Sequence, residues 1–147
     1  MALKSALVLD DDAPFRRLLR EALLTEGWSV RCAARDEAAL HIATLRRPDV
    51  VMLDVSKPEY APEAVAAGLR IHYGPQLPIL ATSAIPQPAI ITRIGAFGFL
   101  QKPFEIDRLL SLLERGLALS ERASRLRAHS DAALDRIRYL RGLRPLD

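Results

Sequence analysis

Short apolar segments alternate along the chain with longer stretches in which apolar residues recur every three or four positions. The first kind is typical of strands, and an unbroken apolar run such as Val50–Leu53 is typical of a strand that is buried on both faces. The second kind is typical of helices with one buried face. Four predicted strands fall at residues 6–9, 28–32, 50–54 and 77–83, and the segment 95–101 contains a turn and the fifth strand. Five strands that alternate with five helices indicate an α/β fold with a doubly wound parallel sheet.

Prolines, glycines and one aspartate mark the predicted helix boundaries. Pro14 suits the start of the first helix and Gly27 its end. Asp36 can cap a second helix, which Pro48 ends. The segment 85–88, Ile-Pro-Gln-Pro, leaves room for only a short fourth helix over residues 89–94.

The helical pattern of the last segment starts at Ile106 and continues for more than thirty residues. Its apolar or small positions alternate by three and four: Leu109, Leu112, Gly116, Leu119, Ala123, Leu126, Ser130, Ala133, Ile137 and Leu140. This heptad seam, with Gly116 and Ser130 as weak points, predicts one long helix that pairs with a second copy of the chain or leads to another module. A break at 129–130, with Ser130 capping a helix that folds back, is the less favoured alternative.

The charge distribution separates this tail from the rest of the chain. Residues 1–117 carry equal numbers of acidic and basic residues, whereas residues 118–147 hold seven arginines and four acids. We therefore divide the chain into a globular domain, 1–117, and a helical extension, 118–147. The arginines are scattered around the helix without a helix-turn-helix, so a solvated face is favoured over nucleic-acid contact.

The remaining composition indicates a cytoplasmic protein. No apolar run is long enough to span a bilayer, and the N-terminus lacks the apolar segment of a signal peptide. The single cysteine, Cys32, excludes an intramolecular disulfide and fits a reducing compartment.

Charged residues follow three of the predicted strands. Asp10 and Asp11 follow the first strand, Asp54 ends the third, and Lys102 follows the fifth. These positions meet at the carboxyl edge of a parallel sheet, where close carboxylates repel one another and favour a hard cation such as Mg2+. A carboxylate beside Mg2+ and a lysine can act as a nucleophile toward a phosphoryl group. A hydroxyl at the end of the fourth strand, Thr82 or Ser83, could hydrogen-bond the product.

The same residues give the sequence its resemblance to the receiver domain of response regulators in two-component signalling. The matching segments are Leu7-Val8-Leu9-Asp10-Asp11, Val50-Val51-Met52-Leu53-Asp54, Pro78-Ile79-Leu80-Ala81-Thr82-Ser83-Ala84 and Gly95-Ala96-Phe97-Gly98-Phe99-Leu100-Gln101-Lys102-Pro103-Phe104. The resemblance covers about residues 4–117. It implies a flavodoxin-like sheet of order 2-1-3-4-5, followed here by an extended C-terminal helix.

The resemblance also implies roles for single residues. Asp54 would accept a phosphoryl group from a sensor histidine kinase or a phosphotransfer protein, and Lys102 would pair with that group. Asp11, Asp54 and the backbone carbonyl of Ser56 would bind Mg2+, with Asp10 acting through water. Ser83 is favoured over Thr82 as the hydroxyl because it lies five residues after the strand's proline and precedes alanine. Phe99 lies at the aromatic switch position, and the Lys102–Pro103 bond is commonly cis in this family.

Two departures from the family pattern affect this interpretation. The loop after Asp54 has Lys57 where the family usually has methionine, and no glycine follows before Gly68. Lys57 could pair with an acid of the site, but a solvent-facing side chain is slightly favoured. The segment from Ser83 to Lys102 is short and proline-containing, so the usual output surface should be altered.

The resulting expectation is a regulatory domain that catalyses only its own aspartate phosphorylation and dephosphorylation, with a homodimer formed through the tail helix. One alternative is a degenerate receiver that acts as a constitutive protein-interaction module. Another is a small aspartate-dependent phosphatase, since Asp10 and Asp12 have the two-residue spacing of that class. Lys102 and Asp54 fit the receiver better.

Overall fold

A computed structural model describes residues 4–34, 41 and 46–142 and contains a five-stranded parallel sheet of order β2-β1-β3-β4-β5. The strands are β1 (Lys4–Leu9), β2 (Trp28–Ala33), β3 (Val50–Asp54), β4 (Ile79–Ser83) and β5 (Gly98–Gln101). The helices are α1 (Ala13–Thr25), α2 (Pro62–Tyr73), α3 (Pro88–Ile94) and α4 (Ile106–Leu140), with a 3-10 turn at Pro58–Tyr60. The predicted fold class and strand order are confirmed. The helix predicted after Asp36 lies outside the described residues.

The sheet is covered on both faces by apolar side chains. Along β3, Val51 and Leu53 belong to a core cluster with residues of α2, whereas Val50 and Met52 belong to a second cluster with residues of α1 and α4. All four side chains are at most 4% exposed. The continuous apolar run therefore forms a strand buried on both faces, as predicted.

The strand register brings the polar strand ends together at one edge. Leu9 of β1 is paired with Leu53 of β3, and Asp54 is paired with Thr82 of β4. Ser83 in turn is paired with Gln101 of β5. The residues that directly follow β1 and β5 therefore lie at the same edge as Asp54.

Helix α3 is short, with seven residues, as its prolines predicted. The guanidinium of Arg70 on α2 donates hydrogen bonds to the carbonyls of Ile94 and Gly95 at the end of α3. These bonds satisfy carbonyls that have no partner within the helix and fix the end of α3 against α2.

Helix α4 is one continuous helix of 35 residues, so the alternative of a break at 129–130 is wrong. Its buried residues are Leu109, Leu113, Gly116, Ser120 and Ala123. The predicted seam is therefore only partly the face that packs on the sheet, since Leu112 is half-buried and Leu119 is exposed. The described residues after Ala123 are exposed, apart from the half-buried Arg138.

Gly116 allows α4 to lie close to the sheet. A Cβ atom at this position would lie 2.8 Å from Cγ2 of Val50 and 2.9 Å from Cζ of Phe97, both closer than normal packing permits. The glycine that weakens the sequence pattern of the seam is thus required for packing within the domain. Among the described residues, no helix has the length and apolar character needed to cross a bilayer.

Candidate functional site

Three aspartates and two lysines lie at the carboxyl edge of the sheet. Asp10 directly follows β1 and is 4% exposed. The Nζ atom of Lys102, which follows β5, is 2.6 Å from Oδ2 of Asp10 and 3.5 Å from Oδ2 of Asp54. The Lys102 ammonium thus joins the ends of β1, β3 and β5. It contacts Asp10 and Asp54, two of the carboxylates that the sequence predicted at this edge.

Contacts on three sides hold Lys102 in place. Its backbone N–H donates to the carbonyl of Ser83 at 2.9 Å, which continues the pairing of β5 with β4. Its Nζ atom lies 4.5 Å from the ring centroid of Phe15, and Phe15 packs edge-on against Phe104. A cation over an aromatic face is attracted by the ring quadrupole, so Phe15 helps the carboxylates to hold the Lys102 ammonium in place. The Lys102–Pro103 bond is cis, as predicted.

Hydrogen bonds from the start of α1 fix Asp10. Its Oδ1 accepts from the backbone N–H of Asp12 at 2.9 Å, and its carbonyl oxygen accepts from Arg16 at 2.6 Å. Asp12 itself caps α1, because its Oδ1 accepts from the backbone N–H of Phe15 at 3.1 Å. Asp12 is therefore committed to the helix end, which leaves Asp10 and Asp11 as the acidic pair of the site.

Ser56 orients the carboxylate of Asp54. The backbone N–H and the hydroxyl of Ser56 both donate to Oδ1 of Asp54, at 2.9 and 2.6 Å. Oδ2 has a longer contact, the 3.5 Å approach of Lys102. One carboxylate oxygen is thus held by two hydrogen bonds, while the other faces the lysine.

Asp11 is paired with Lys57, so the slight preference for a solvent-facing Lys57 is wrong. Nζ of Lys57 lies 2.5 Å from Oδ2 of Asp11, and the hydroxyl of Tyr60 approaches the same oxygen at 3.4 Å. The hydrogen bond to Asp11 raises the pKa of Lys57 above its usual value. The 3-10 turn that follows Lys57 places its side chain against Asp11, a contact that the sequence pattern alone did not show.

The two candidate hydroxyls differ in their surroundings. Ser83 is fully buried, and its Oγ accepts a hydrogen bond from the backbone N–H of Ile85 at 3.2 Å. Thr82 is 2% exposed and is the register partner of Asp54. The choice of Ser83 over Thr82 stays a prediction, as does the switch role of Phe99, which is half-buried against the core beside α2.

The donor chemistry of the cluster fits a hard divalent cation. Its carboxylates offer oxygen ligands, and three negative and two positive side chains leave one net negative charge. However, no three Asp, Glu, His or Cys side chains in the described part of the chain are grouped around a common metal position. Lys57 holds Asp11 and Lys102 holds Asp10, so a cation would have to share these carboxylates with the lysines.

The sequence did not indicate Tyr60, Phe15 or the Ser56 hydroxyl as parts of the site. A weak signal existed for Tyr60, because residues three apart in a 3-10 turn lie on the same side, and Tyr60 is three residues after Lys57. The sequence pattern indicates Phe15 only as part of the apolar face of α1, although that position lies one turn from the strand end.

Comparisons with known proteins agree with this geometry. The family model of the response regulator receiver domain matches residues 6–114. The chain is 30% identical over 128 residues to the regulatory protein AtoC of Escherichia coli (strain K12), covering 86% of this chain and 28% of AtoC. It is 37% identical over 110 residues to the response regulator MprA of Mycolicibacterium vanbaalenii, covering 71% of this chain and 46% of MprA.

Among solved structures, the chemotaxis protein CheY4 of Vibrio cholerae matches with a TM-score of 0.73 and 30% identity, covering 79% of this chain and all of CheY4. The chain thus spans less than half the length of these two curated relatives but the whole of the CheY4 structure.

Proposed function

Because this chain belongs to the response regulator receiver domain family, we propose that it is a signalling switch controlled by phosphorylation of Asp54. The phosphoryl donor would be a sensor histidine kinase or a phosphotransfer protein. The observation that supports this most directly is the position of Lys102, whose ammonium contacts Asp10 at 2.6 Å and Asp54 at 3.5 Å. A cation beside a carboxylate nucleophile offsets the charge that develops on a transferred phosphoryl group.

In the proposed transfer, Oδ2 of Asp54 attacks the phosphorus atom of a phosphohistidine on the donor. The new O–P bond forms as the P–N bond breaks, and the imidazole nitrogen keeps the electron pair and takes a proton. Ser56 holds Oδ1 of Asp54 through its N–H and hydroxyl, so Oδ2 is the oxygen left to react. Lys102 is then close enough to pair with an oxygen of the bound phosphoryl group.

Mg2+, when bound, would supply further positive charge against the phosphoryl oxygens. Asp11, Asp54 and the backbone carbonyl of Ser56 would hold it, with Asp10 acting through water. Asp10 and Asp54 also share Lys102, so the lysine limits the repulsion between these two carboxylates in the unphosphorylated protein.

Ser83 would transmit the new charge to the neighbouring surface. Its Oγ accepts from the N–H of Ile85, which leaves the hydroxyl hydrogen available to donate to a phosphoryl oxygen. The segment after β4 is also tied to the loop after Asp54, because the Gln87 side chain donates to the carbonyl of Val55 at 3.0 Å. A shift of Ser83 toward Asp54 would therefore move the start of α3, and Phe99 would turn inward behind it.

On this proposal the chain is regulatory and catalyses only its own phosphorylation and dephosphorylation, in the cytoplasm. The alternative of a constitutive interaction module is less well supported, because Asp10, Asp54 and Lys102 are all present and in contact. Phosphorylation by a small-molecule donor distinguishes the switch from the constitutive module. Acetyl phosphate with Mg2+ should add one phosphoryl group to the intact chain, as measured by mass spectrometry. A chain that gains no mass, or gains it equally when Mg2+ is chelated, would contradict the switch.

We also propose that residues 118–147 form a helical extension that joins two copies of domain 1–117. The large exposed apolar residues of α4 beyond the domain are Leu119, Leu126, Leu134, Ile137, Tyr139 and Leu140. An isolated helix is marginal in water without a packed apolar face, so a second copy would stabilise this part of α4.

The dimer proposal can be tested by light scattering on the full chain, with and without beryllofluoride as a phosphoryl mimic. The native chain should scatter as a dimer, and Leu126→Glu with Ile137→Glu should give monomers because two charges enter the apolar seam. Ala128→Glu, on the opposite side of the helix, should stay dimeric. A native chain that is monomeric in both conditions would remove the proposal.

A further inference from the structure

The ion pair between Lys57 and Asp11 suggests a further property of the site, which rests on the proposed function. Asp11 is a proposed ligand of Mg2+, yet its Oδ2 is 2.5 Å from the Lys57 ammonium. Lys57 stands where the family usually has methionine, a side chain without charge. In this chain a positively charged side chain therefore already occupies one oxygen of Asp11, a member of the acidic pair.

The backbone and Tyr60 hold this cation in position. The 3-10 turn begins at Pro58, directly after Lys57, and the N–H of Tyr60 donates to the carbonyl of Lys57 at 3.2 Å. Ala61 closes the turn with a left-handed backbone (φ 47°), a conformation that a non-glycine residue adopts at a cost. The Lys57 ammonium lies 5.7 Å from the ring centroid of Tyr60, which also approaches Asp11 with its hydroxyl. Within the part of the chain that the structure describes, the ammonium thus has two partners, a carboxylate and an aromatic ring.

We propose that Lys57 is a resident counter-ion of Asp11 that Mg2+ must displace, so that this residue weakens Mg2+ binding and sets the Mg2+ concentration at which the site can be phosphorylated. The physical reason is that two cations on one carboxylate repel each other strongly at separations of a few ångströms. Mg2+ also requires oxygen ligands in near-octahedral geometry, which an ammonium bonded to one of those oxygens obstructs.

The proposal predicts tighter Mg2+ binding when the lysine is removed. Isothermal titration calorimetry of the full chain with MgCl2, without any phosphoryl donor, should give a Kd for Lys57→Met that is roughly threefold to tenfold lower than that of the native chain. Lys57→Arg keeps the positive charge and should bind Mg2+ no more tightly than the native chain. Crystals soaked in MgCl2 should show the Lys57 ammonium out of hydrogen-bond distance from Asp11.

Lys4 provides a matched control. Its Nζ pairs with Oε1 of Glu114 at 2.7 Å, and its side chain is exposed to a similar extent, 41% against 45% for Lys57. Lys4→Met should leave the Mg2+ affinity unchanged. Equal affinities of the native chain and Lys57→Met would overturn the counter-ion proposal while leaving the phosphorylation switch intact. If none of these proteins bound Mg2+, the proposed function would fail together with the inference.

Discussion

Asp54→Asn is expected to abolish phosphorylation while leaving the fold intact. The amide nitrogen of asparagine has no nucleophilic lone pair, and its oxygen cannot replace a carboxylate as attacking group, so acetyl phosphate with Mg2+ should add no phosphoryl group to this variant. The amide oxygen can still accept the N–H and hydroxyl of Ser56, the two hydrogen bonds that orient Asp54. The free energy of unfolding should therefore stay within about 1 kcal/mol of the native value.

Asp12→Asn is the matched control for this result. Asp12 lies near the same sheet edge but caps α1 through the backbone N–H of Phe15, and asparagine caps helices as well as aspartate. Asp12→Asn should gain one phosphoryl group at the native rate. Undiminished phosphorylation of Asp54→Asn would place the acceptor on another residue. Loss of phosphorylation in both variants would show that any change at this sheet edge blocks the reaction, so that the loss in Asp54→Asn would not identify the acceptor.

Lys102→Met is expected to be the most destabilising single change at the site. Asp10 is 4% exposed and its Oδ2 contacts Lys102 at 2.6 Å, so loss of the ammonium leaves a buried carboxylate without its cation. Removing one partner of a buried ion pair typically costs about 3–5 kcal/mol, and because Lys102 is 22% exposed we expect a loss of about 2–4 kcal/mol in urea unfolding without Mg2+.

A double variant separates this charge effect from lost packing. Asp10→Asn combined with Lys102→Met removes the uncompensated charge, and the amide oxygen of the introduced asparagine can still accept the N–H of Asp12, so at least half of the lost stability should return. Lys4→Met breaks an exposed pair with Glu114 and should cost at most about 1 kcal/mol. If the double variant were as unstable as Lys102→Met, packing of the lysine against Phe15, rather than charge, would explain the loss.

The sequence predicted the fold well because its signals are local. Apolar runs of strand length, prolines and glycines mark the elements, and parallel strands bring Asp10, Asp54 and Lys102 to one edge whatever the details of the loops. The same reasoning predicted the short α3 from Pro86 and Pro88. These features depend on chain direction and periodicity, which a single sequence displays.

Features that depend on tertiary packing were missed. The partner of Lys57 depends on the 3-10 turn and on the left-handed Ala61, and no glycine in the sequence announced that conformation. The buried face of α4 passes through Leu113 instead of Leu112 because the helix must lie against β3 at Gly116. A three-four alternation fits both faces, so only the position of the sheet decides between them.

The chemical identity of residue 54 after reaction with a phosphoryl donor shows whether Asp54 is the phosphoacceptor. Sodium borohydride reduces an aspartyl phosphate to the alcohol, which converts the aspartate to homoserine, and tandem mass spectrometry of the peptides then locates it. We predict homoserine at position 54 in chain treated with acetyl phosphate and Mg2+, and none when Mg2+ is withheld. Homoserine at Asp10, Asp11 or another position instead of 54, or none in the treated chain, would contradict the assignment of Asp54 as the phosphoacceptor.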